Sequence, residues 1–83
     1  MRLDKFLKVS RIIKRRSVAN SVSDLGRVLV NGTVAKPAKK LKVGDIITIE
    51  YATKKLVAKV LIIPEGNVPV QLANTLYELI EED

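Results

Sequence analysis

The first apolar positions of the chain follow the periodicity of a helix. Leu3, Phe6 and Leu7 stand at the i, i+3, i+4 spacing of one helical face, which predicts a short amphipathic helix from Arg2 to Arg11. At about 100° per residue, the lysines between these apolar residues project to the opposite side. The helix is therefore expected to bury an aliphatic face and to expose a basic one.

A second helix is predicted between Val18 and Leu25. Ser17 precedes it and can cap its first turn by accepting a backbone N–H bond, and Gly26 follows it, where helices commonly end. The side of this helix that is expected to be buried consists of Val18, Ala19, Val22 and Leu25.

The middle of the chain changes to patterns that are typical of strands and tight turns. Asn31-Gly32 predicts a two-residue hairpin between short β-rich runs at 27–30 and 33–35, because both turn residues tolerate positive φ. Two further strands are predicted at about 46–51 and 55–63, where apolar and polar residues alternate.

The last part of the chain returns to a helical pattern. Leu72, Leu76 and Leu79 lie at near-helical spacing and predict a third helix between Val70 and Ile80. The predicted fold class is therefore α+β: two N-terminal helices packed on a small, mostly antiparallel sheet, plus a C-terminal helix.

The length of 83 residues suffices for one hydrophobic core, since so short a chain buries only about 60% of its unfolded surface. Residues 1–63 are expected to form the domain. Residues 64–83 are expected to be an extension, helical and packed on the same core.

The composition argues against catalysis and against metal binding. The chain has no cysteine and no histidine, so neither residue is available as a nucleophile, a general base or a zinc ligand. It also has no glycine-rich phosphate loop. We therefore expect a protein that is not an enzyme, with no cofactor, no metal and no small-molecule substrate.

No apolar run approaches the roughly 20 residues that span a bilayer, and no apolar leader with a cleavage site opens the chain. We therefore expect a cytoplasmic protein that makes no membrane contact.

Charge is divided unequally along the chain. Residues 1–42 carry 12 basic and 2 acidic side chains, whereas residues 43–83 carry 3 basic and 7 acidic ones, which gives +10 and −4 and adds to the net charge of +6. A surface with this polarity attracts polyanions to its basic end.

Seven cations crowd into the first 16 residues, with one acidic neighbour. Arginine side chains can bind phosphate through two parallel hydrogen bonds, so the cluster predicts an RNA-binding surface. The candidate RNA-binding residues are Arg2, Lys5, Lys8, Arg11, Lys14, Arg15 and Arg16, with possible secondary contacts at Lys36, Lys39 and Lys40. Aromatic residues are almost absent from these segments, which favours recognition of structured RNA through its shape and backbone.

Several segments resemble, in their order and spacing, the RNA-binding domain named for ribosomal protein S4. They are Arg2-Leu3-Asp4-Lys5-Phe6-Leu7, Arg15-Arg16-Ser17-Val18-Ala19, Gly26-Arg27-Val28, Val30-Asn31-Gly32 and Val43-Gly44-Asp45-Ile46. The resemblance covers about residues 1–50. As a free-standing domain, the chain is further similar to the RqcP (YabO) family, which is related to the small heat-shock ribosome-binding protein. That similarity lies in Lys8-Val9-Ser10-Arg11 and Ile13-Lys14-Arg15-Arg16.

This resemblance implies a function in ribosome-associated quality control. RqcP-family proteins bind bacterial large subunits obstructed by a stranded peptidyl-tRNA and assist an RqcH-type factor that adds alanine tails without a template. The implied partners are large-subunit rRNA, peptidyl-tRNA and the RqcH-type tailing factor, and a monomer is expected. The resemblance also implies RNA-backbone contacts by Arg2, Lys5, Arg15 and Arg16, with Asp4 beside them.

Two departures from the wider S4 pattern concern the second helix. Arg15 stands where a serine is usual, and Leu25 replaces a commonly polar residue before the glycine.

Two other functions stay open at this point. A module of the same fold could bind rRNA during ribosome assembly or rRNA modification. DNA binding, as by a nucleoid protein, is disfavoured because no continuous helix carries the Arg, Asn or Gln side chains that read a major groove.

Overall fold

The computed structural model describes residues 1–82, in which helices cover one face of a five-stranded sheet. Helix α1 spans Leu3–Val9, α2 spans Arg16–Asp24, and a 3-10 helix spans Val70–Leu76. The strands are β1 Val28–Val30, β2 Thr33–Val34, β3 Ile46–Glu50, β4 Lys55–Val60 and β5 Tyr77–Glu82. They lie in the order β2-β1-β3-β4-β5, and every neighbouring pair is antiparallel. The predicted α+β class is confirmed.

The core lies between α1 and one face of the central strands. Val28 of β1 pairs with Ile49 of β3, which puts two buried side chains side by side on that face. The apolar residues predicted for α1 are fully buried in the same cluster. Burial of these aliphatic side chains provides the main stabilisation of the fold.

Helix α2 starts one residue before the predicted cap. Arg15 occupies the N-cap position without a side-chain cap bond, and Ser17 lies inside the first turn. The prediction that Ser17 caps the helix was therefore wrong. Arg16, the first residue of this helix, forms an ion pair with α1 that is described below.

The buried side of α2 also differs from the prediction. Ala19 and Ser23 are buried, whereas Val18 is 46% and Leu25 is 72% exposed. Two small side chains one turn apart let α1 approach closely, and the hydroxyl of Ser23 donates to the Ala19 carbonyl at 2.8 Å, so its burial leaves no polar group unpaired. The predicted burial of Val18 and Leu25 is therefore wrong: the buried side of α2 carries its small side chains and not its large apolar ones.

The predicted hairpin turn is confirmed in its backbone, since Asn31 and Gly32 have φ of 53° and 83°. The Asn31 side chain adds a connection that the turn signal does not contain. Its Oδ1 accepts the Ile46 N–H at 2.9 Å, and its Nδ2 donates to Oδ1 of buried Asp45 at 3.1 Å. Asp45 in turn accepts the Lys42 N–H at 2.9 Å. These bonds fasten the hairpin to the start of β3.

The C-terminal helix is present but shorter than predicted. It ends at Leu76, whose side chain is buried in the core cluster, and the chain then continues as β5 instead of as helix to Ile80. Strand β5 pairs with β4, which itself ends at Val60 rather than at Ile63. Pairing satisfies the backbone groups of β4 that would otherwise form the sheet edge.

Residue 83 of the predicted extension lies outside the described residues. No helix within residues 1–82 is both long enough and apolar enough to cross a membrane.

The Asn31 connection can be tested without changing the turn, because glycine also tolerates the positive φ of that position. We expect Asn31→Gly to lower the free energy of unfolding by about 1–2 kcal/mol through the lost hydrogen bonds. Urea denaturation of the wild type and the variant measures this difference in the free energy of unfolding. Asn67→Gly, in an exposed loop, is the control for backbone entropy; equal losses in the two variants would contradict the role of the Asn31 side chain.

Candidate nucleic-acid interface

The carboxylate of Asp4 is the centre of the candidate interface. Its side chain is only 3% exposed, although it lies in the first turn of α1. Arg2 approaches it with Nε 3.3 Å from Oδ1, and Arg16 with Nη2 3.4 Å from the same oxygen. Asn20 donates from Nδ2 to Oδ2 at 3.3 Å, and the Lys5 backbone N–H donates to Oδ1 at 2.8 Å. One buried carboxylate thus joins both helices.

The local sequence explains how these donors meet. Arg16 opens α2 and Asn20 follows four residues later, so both lie on the same face of that helix. Asp4 lies near the positive end of the α1 dipole, which favours its negative charge. Since the Arg2 and Arg16 side chains are each 47% exposed, they cover the carboxylate from the solvent side.

The hydrogen bonds and charges around Asp4 outweigh the effect of its burial. Burial raises the pKa of the carboxyl, but the hydrogen bond from Asn20 and the charge and hydrogen bond of Arg16 lower it, with a further contribution from the Arg2 charge. The net effect is a pKa below the ordinary value. Asp4 is therefore ionised at neutral pH, and the arginines beside it are held by a full negative charge.

The other predicted cations are placed as follows. Lys5 and Lys8 occupy the narrow outward arc of α1; Lys5 is half-buried and Lys8 is exposed. Arg11, Lys14 and Arg15 are exposed in the segment between the helices. The structure therefore brings Arg2 and Arg16 together on Asp4. The remaining predicted cations lie on α1 and on the segment between the two helices. RNA contact by each of them stays a prediction.

Residues 36–42, which follow β2 and are called the lysine loop below, are attached to the start of α1 by backbone hydrogen bonds. The Leu3 N–H donates to the Lys39 carbonyl at 2.8 Å, the Asp4 N–H donates to the Pro37 carbonyl at 3.1 Å, and Arg2 forms an isolated β-bridge with Lys40. This pairing puts Lys39 and Lys40 beside Arg2. All four lysines of the loop are exposed: Lys36, Lys39, Lys40 and Lys42.

Sequence reasoning missed Asn20 as a member of the site. In the sequence, Asn20 is marked only by its position one helical turn after Arg16. The structure shows that both side chains donate to the same carboxylate, Asp4. The sequence predicts the lysines of the loop as possible secondary contacts, but no residue pattern indicates the backbone pairing that attaches the loop to α1.

Three glutamates lie on the edge strand of the sheet opposite β2. Glu78, Glu81 and Glu82 belong to the edge strand β5, and Lys55 contacts Glu81 at 3.8 Å with both side chains about half exposed. The division of charge along the chain is therefore also a division in space. The helical end is basic, and the β5 edge is acidic.

Comparisons with known proteins show the family and the fold of the chain. The family model of the S4 domain matches residues 1–47. The chain is 50% identical over 82 residues to the RQC P-site tRNA stabilizing factor of Streptococcus pneumoniae, covering 99% of this chain and 92% of the relative. It is 41% identical over 83 residues to the protein of the same name in Bacillus subtilis, covering 100% and 95%. Among solved structures, the trimeric Heat shock protein 15 of Vibrio cholerae superposes with a TM-score of 0.86 at 31% identity, covering 96% of this chain and 81% of that one.

The lowered pKa of Asp4 predicts how stability changes with pH. The unfolded carboxyl titrates near 3.9, so a lower folded pKa means that the native state binds fewer protons. The resulting stabilisation is complete above the unfolded pKa and is lost as the pH falls through the folded pKa. We expect Asp4→Asn to lower the free energy of unfolding at pH 7 by about 1–3 kcal/mol.

Urea denaturation at several pH values checks this prediction. The gap between wild type and Asp4→Asn should narrow as the pH falls below about 4, because the wild-type carboxyl then becomes protonated as well. Asp24→Asn, at an exposed carboxylate, is the matched control and should show no such gap. A gap that stays constant down to strongly acidic pH would contradict the assignment to Asp4 ionisation.

Proposed function

The chain belongs to the S4 domain family and, within it, to the RQC P-site tRNA stabilizing factors, and from this premise we propose that it binds structured RNA on obstructed large ribosomal subunits. Its partners there are large-subunit rRNA and peptidyl-tRNA. It acts as a monomeric, non-catalytic protein in the bacterial cytoplasm, and it assists an RqcH-type factor in adding alanine tails to stalled nascent chains.

The observation that supports this proposal most directly is the pair of guanidinium groups on Asp4. Each guanidinium has five N–H donors, and the contacts of Arg2 and Arg16 with Asp4 occupy only part of them. The rest are available to phosphate on the half-exposed side. Two arginines held by one carboxylate lose little side-chain entropy when they bind an RNA backbone.

The surroundings of this pair extend the same chemistry. Lys5 and Lys8 lie on the outward arc of α1, and the lysine loop lies at its N-terminal end. A surface of this kind neutralises several phosphates and releases their counterions, which makes binding strong at low salt and weak at high salt. The acidic β5 edge is repelled by RNA, so it orients the domain with its helices towards the ribosome.

The proposed function can be tested with tagged protein recovered from a bacterial lysate, followed by identification of the bound RNA and proteins. We expect large subunits that carry tRNA, together with the tailing factor. Assembly precursors or a modification enzyme would instead favour the alternative role in ribosome maturation, and recovered DNA would contradict RNA binding.

The contribution of Arg16 is measured by co-sedimentation of purified protein with large subunits over a range of salt concentrations. We expect Arg16→Ala to weaken binding by about 1–3 kcal/mol, the scale of a charge-assisted contact, and to make the salt dependence less steep. Lys55→Ala is the control, since Lys55 lies in β4 beside the acidic strand and should change little. Equal losses in both variants would show that the surface is placed wrongly.

The substitution Asp4→Asn distinguishes an effect of net charge from an effect of arginine positioning, because the two predict opposite changes in RNA affinity. If only net charge mattered, Asp4→Asn would strengthen RNA binding, because it removes a negative charge. We expect it to weaken binding of the folded protein about threefold to thirtyfold, because Arg2 and Arg16 lose the group that positions them. Asp24→Asn makes the same change of charge at an exposed site and should leave affinity equal or slightly higher. Tighter binding by Asp4→Asn would refute the positioning role.

A further inference from the structure

An open pocket of about 520 Å³ lies between the β1–β2 hairpin and the lysine loop. Its volume falls within the range of small-ligand sites, about 300–1,000 Å³. It is lined by Val30, Asn31, Thr33, Val34, Ala35, Lys36 and Lys39.

The lining combines an apolar surface with positive charge. Val30 and Ala35 are buried and form the floor, and Val34 is half exposed beside them. Two lysines stand at the rim, Thr33 brings a hydroxyl, and the lining contains no carboxylate. A ligand that matches this lining has a flat, weakly polar body attached to an anionic group. A nucleotide has that chemistry, whereas a basic peptide does not.

The pocket is continuous with the proposed RNA-binding surface. Lys39 lines the pocket, and its carbonyl accepts the Leu3 N–H at 2.8 Å, directly beside Arg2. An RNA backbone held at Arg2 and Arg16 would therefore pass close to the pocket mouth. Proteins that recognise RNA often bind unpaired bases that project from loops and bulges.

We propose that this pocket receives one unpaired nucleotide of the bound RNA, with its base against Val30, Val34 and Ala35 and its phosphate between Lys36 and Lys39. This proposal rests on the proposed function and deepens it. The base is held by contact with aliphatic side chains rather than by stacking on an aromatic ring. The site thus adds recognition of an unpaired base to a surface that otherwise binds the backbone.

The first experiment titrates isotopically labelled protein with uridine or adenosine 5′-monophosphate and follows amide chemical shifts by NMR. Inorganic phosphate at equal ionic strength is the reference. We expect the nucleotides to shift the amides of residues 30–35 and phosphate to shift only those of the lysine loop. Identical shifts from nucleotide and phosphate, or no shifts in 30–35, would overturn the proposal.

The second experiment compares large-subunit binding by Val34→Glu and Val70→Glu. Both valines are more than half exposed, so both variants should fold, and both receive the same charge. We expect Val34→Glu to bind about fivefold to tenfold more weakly, the scale of one lost apolar contact, and Val70→Glu to bind like wild type.

The outcomes separate this proposal from the proposed function. Equal weakening in the two variants would reveal a general charge effect and would overturn the pocket. If Val34→Glu abolished mononucleotide binding but not subunit binding, the ligand would be a free nucleotide rather than part of the RNA, and the proposal would be wrong. Arg16→Ala, measured in parallel, tests the proposed function on its own: if its loss persists while Val34→Glu binds normally, only the pocket proposal fails.

Discussion

A carboxylate can be removed from water only where donors replace its hydration, and this constraint at Asp4 shapes the basic end of the molecule. An unpaired buried charge would cost several kcal/mol. Here the donors come from the residues before α1, from α1 itself and from the first two turns of α2. The same contacts that make the burial of Asp4 possible also fix the relative position of the two helices and turn Arg2 and Arg16 towards solvent. The packing of α1 against α2 and the positions of Arg2 and Arg16 therefore depend on one group.

The parts of the fold that follow from neighbouring residues could be predicted from the sequence. The buried face of α1 and the Asn31-Gly32 turn are confirmed because helical periodicity and positive φ are local properties. The start of α2 and the strand at 77–82 could not be predicted. No local signal marks the start of α2, because its N-cap Arg15 forms no side-chain cap bond. The strand depends on an open edge of β4 that exists only once the sheet has formed.

The candidate site also has features that are visible in the sequence and features that only the tertiary structure shows. Its basic character is visible in the sequence as a dense run of cations, and the S4 family is confirmed by the comparisons. The grouping of Arg2, Arg16 and Asn20 around one carboxylate is a tertiary property, and so is the backbone pairing that brings the lysine loop to α1. The sequence therefore indicates which chemistry the surface has, and the structure indicates which cations act together. Contact with RNA by the individual residues stays a prediction.

Arg11 links backbone conformation to function in a different way. It is exposed and has φ of 61°, a left-handed conformation that costs a side chain about 1–2 kcal/mol and that glycine adopts freely. A glycine would relax the turn after α1, but it would also remove a cation from the proposed RNA surface. At this position backbone strain and positive charge are therefore in opposition: the residue type that would relax the turn is the one that carries no charge.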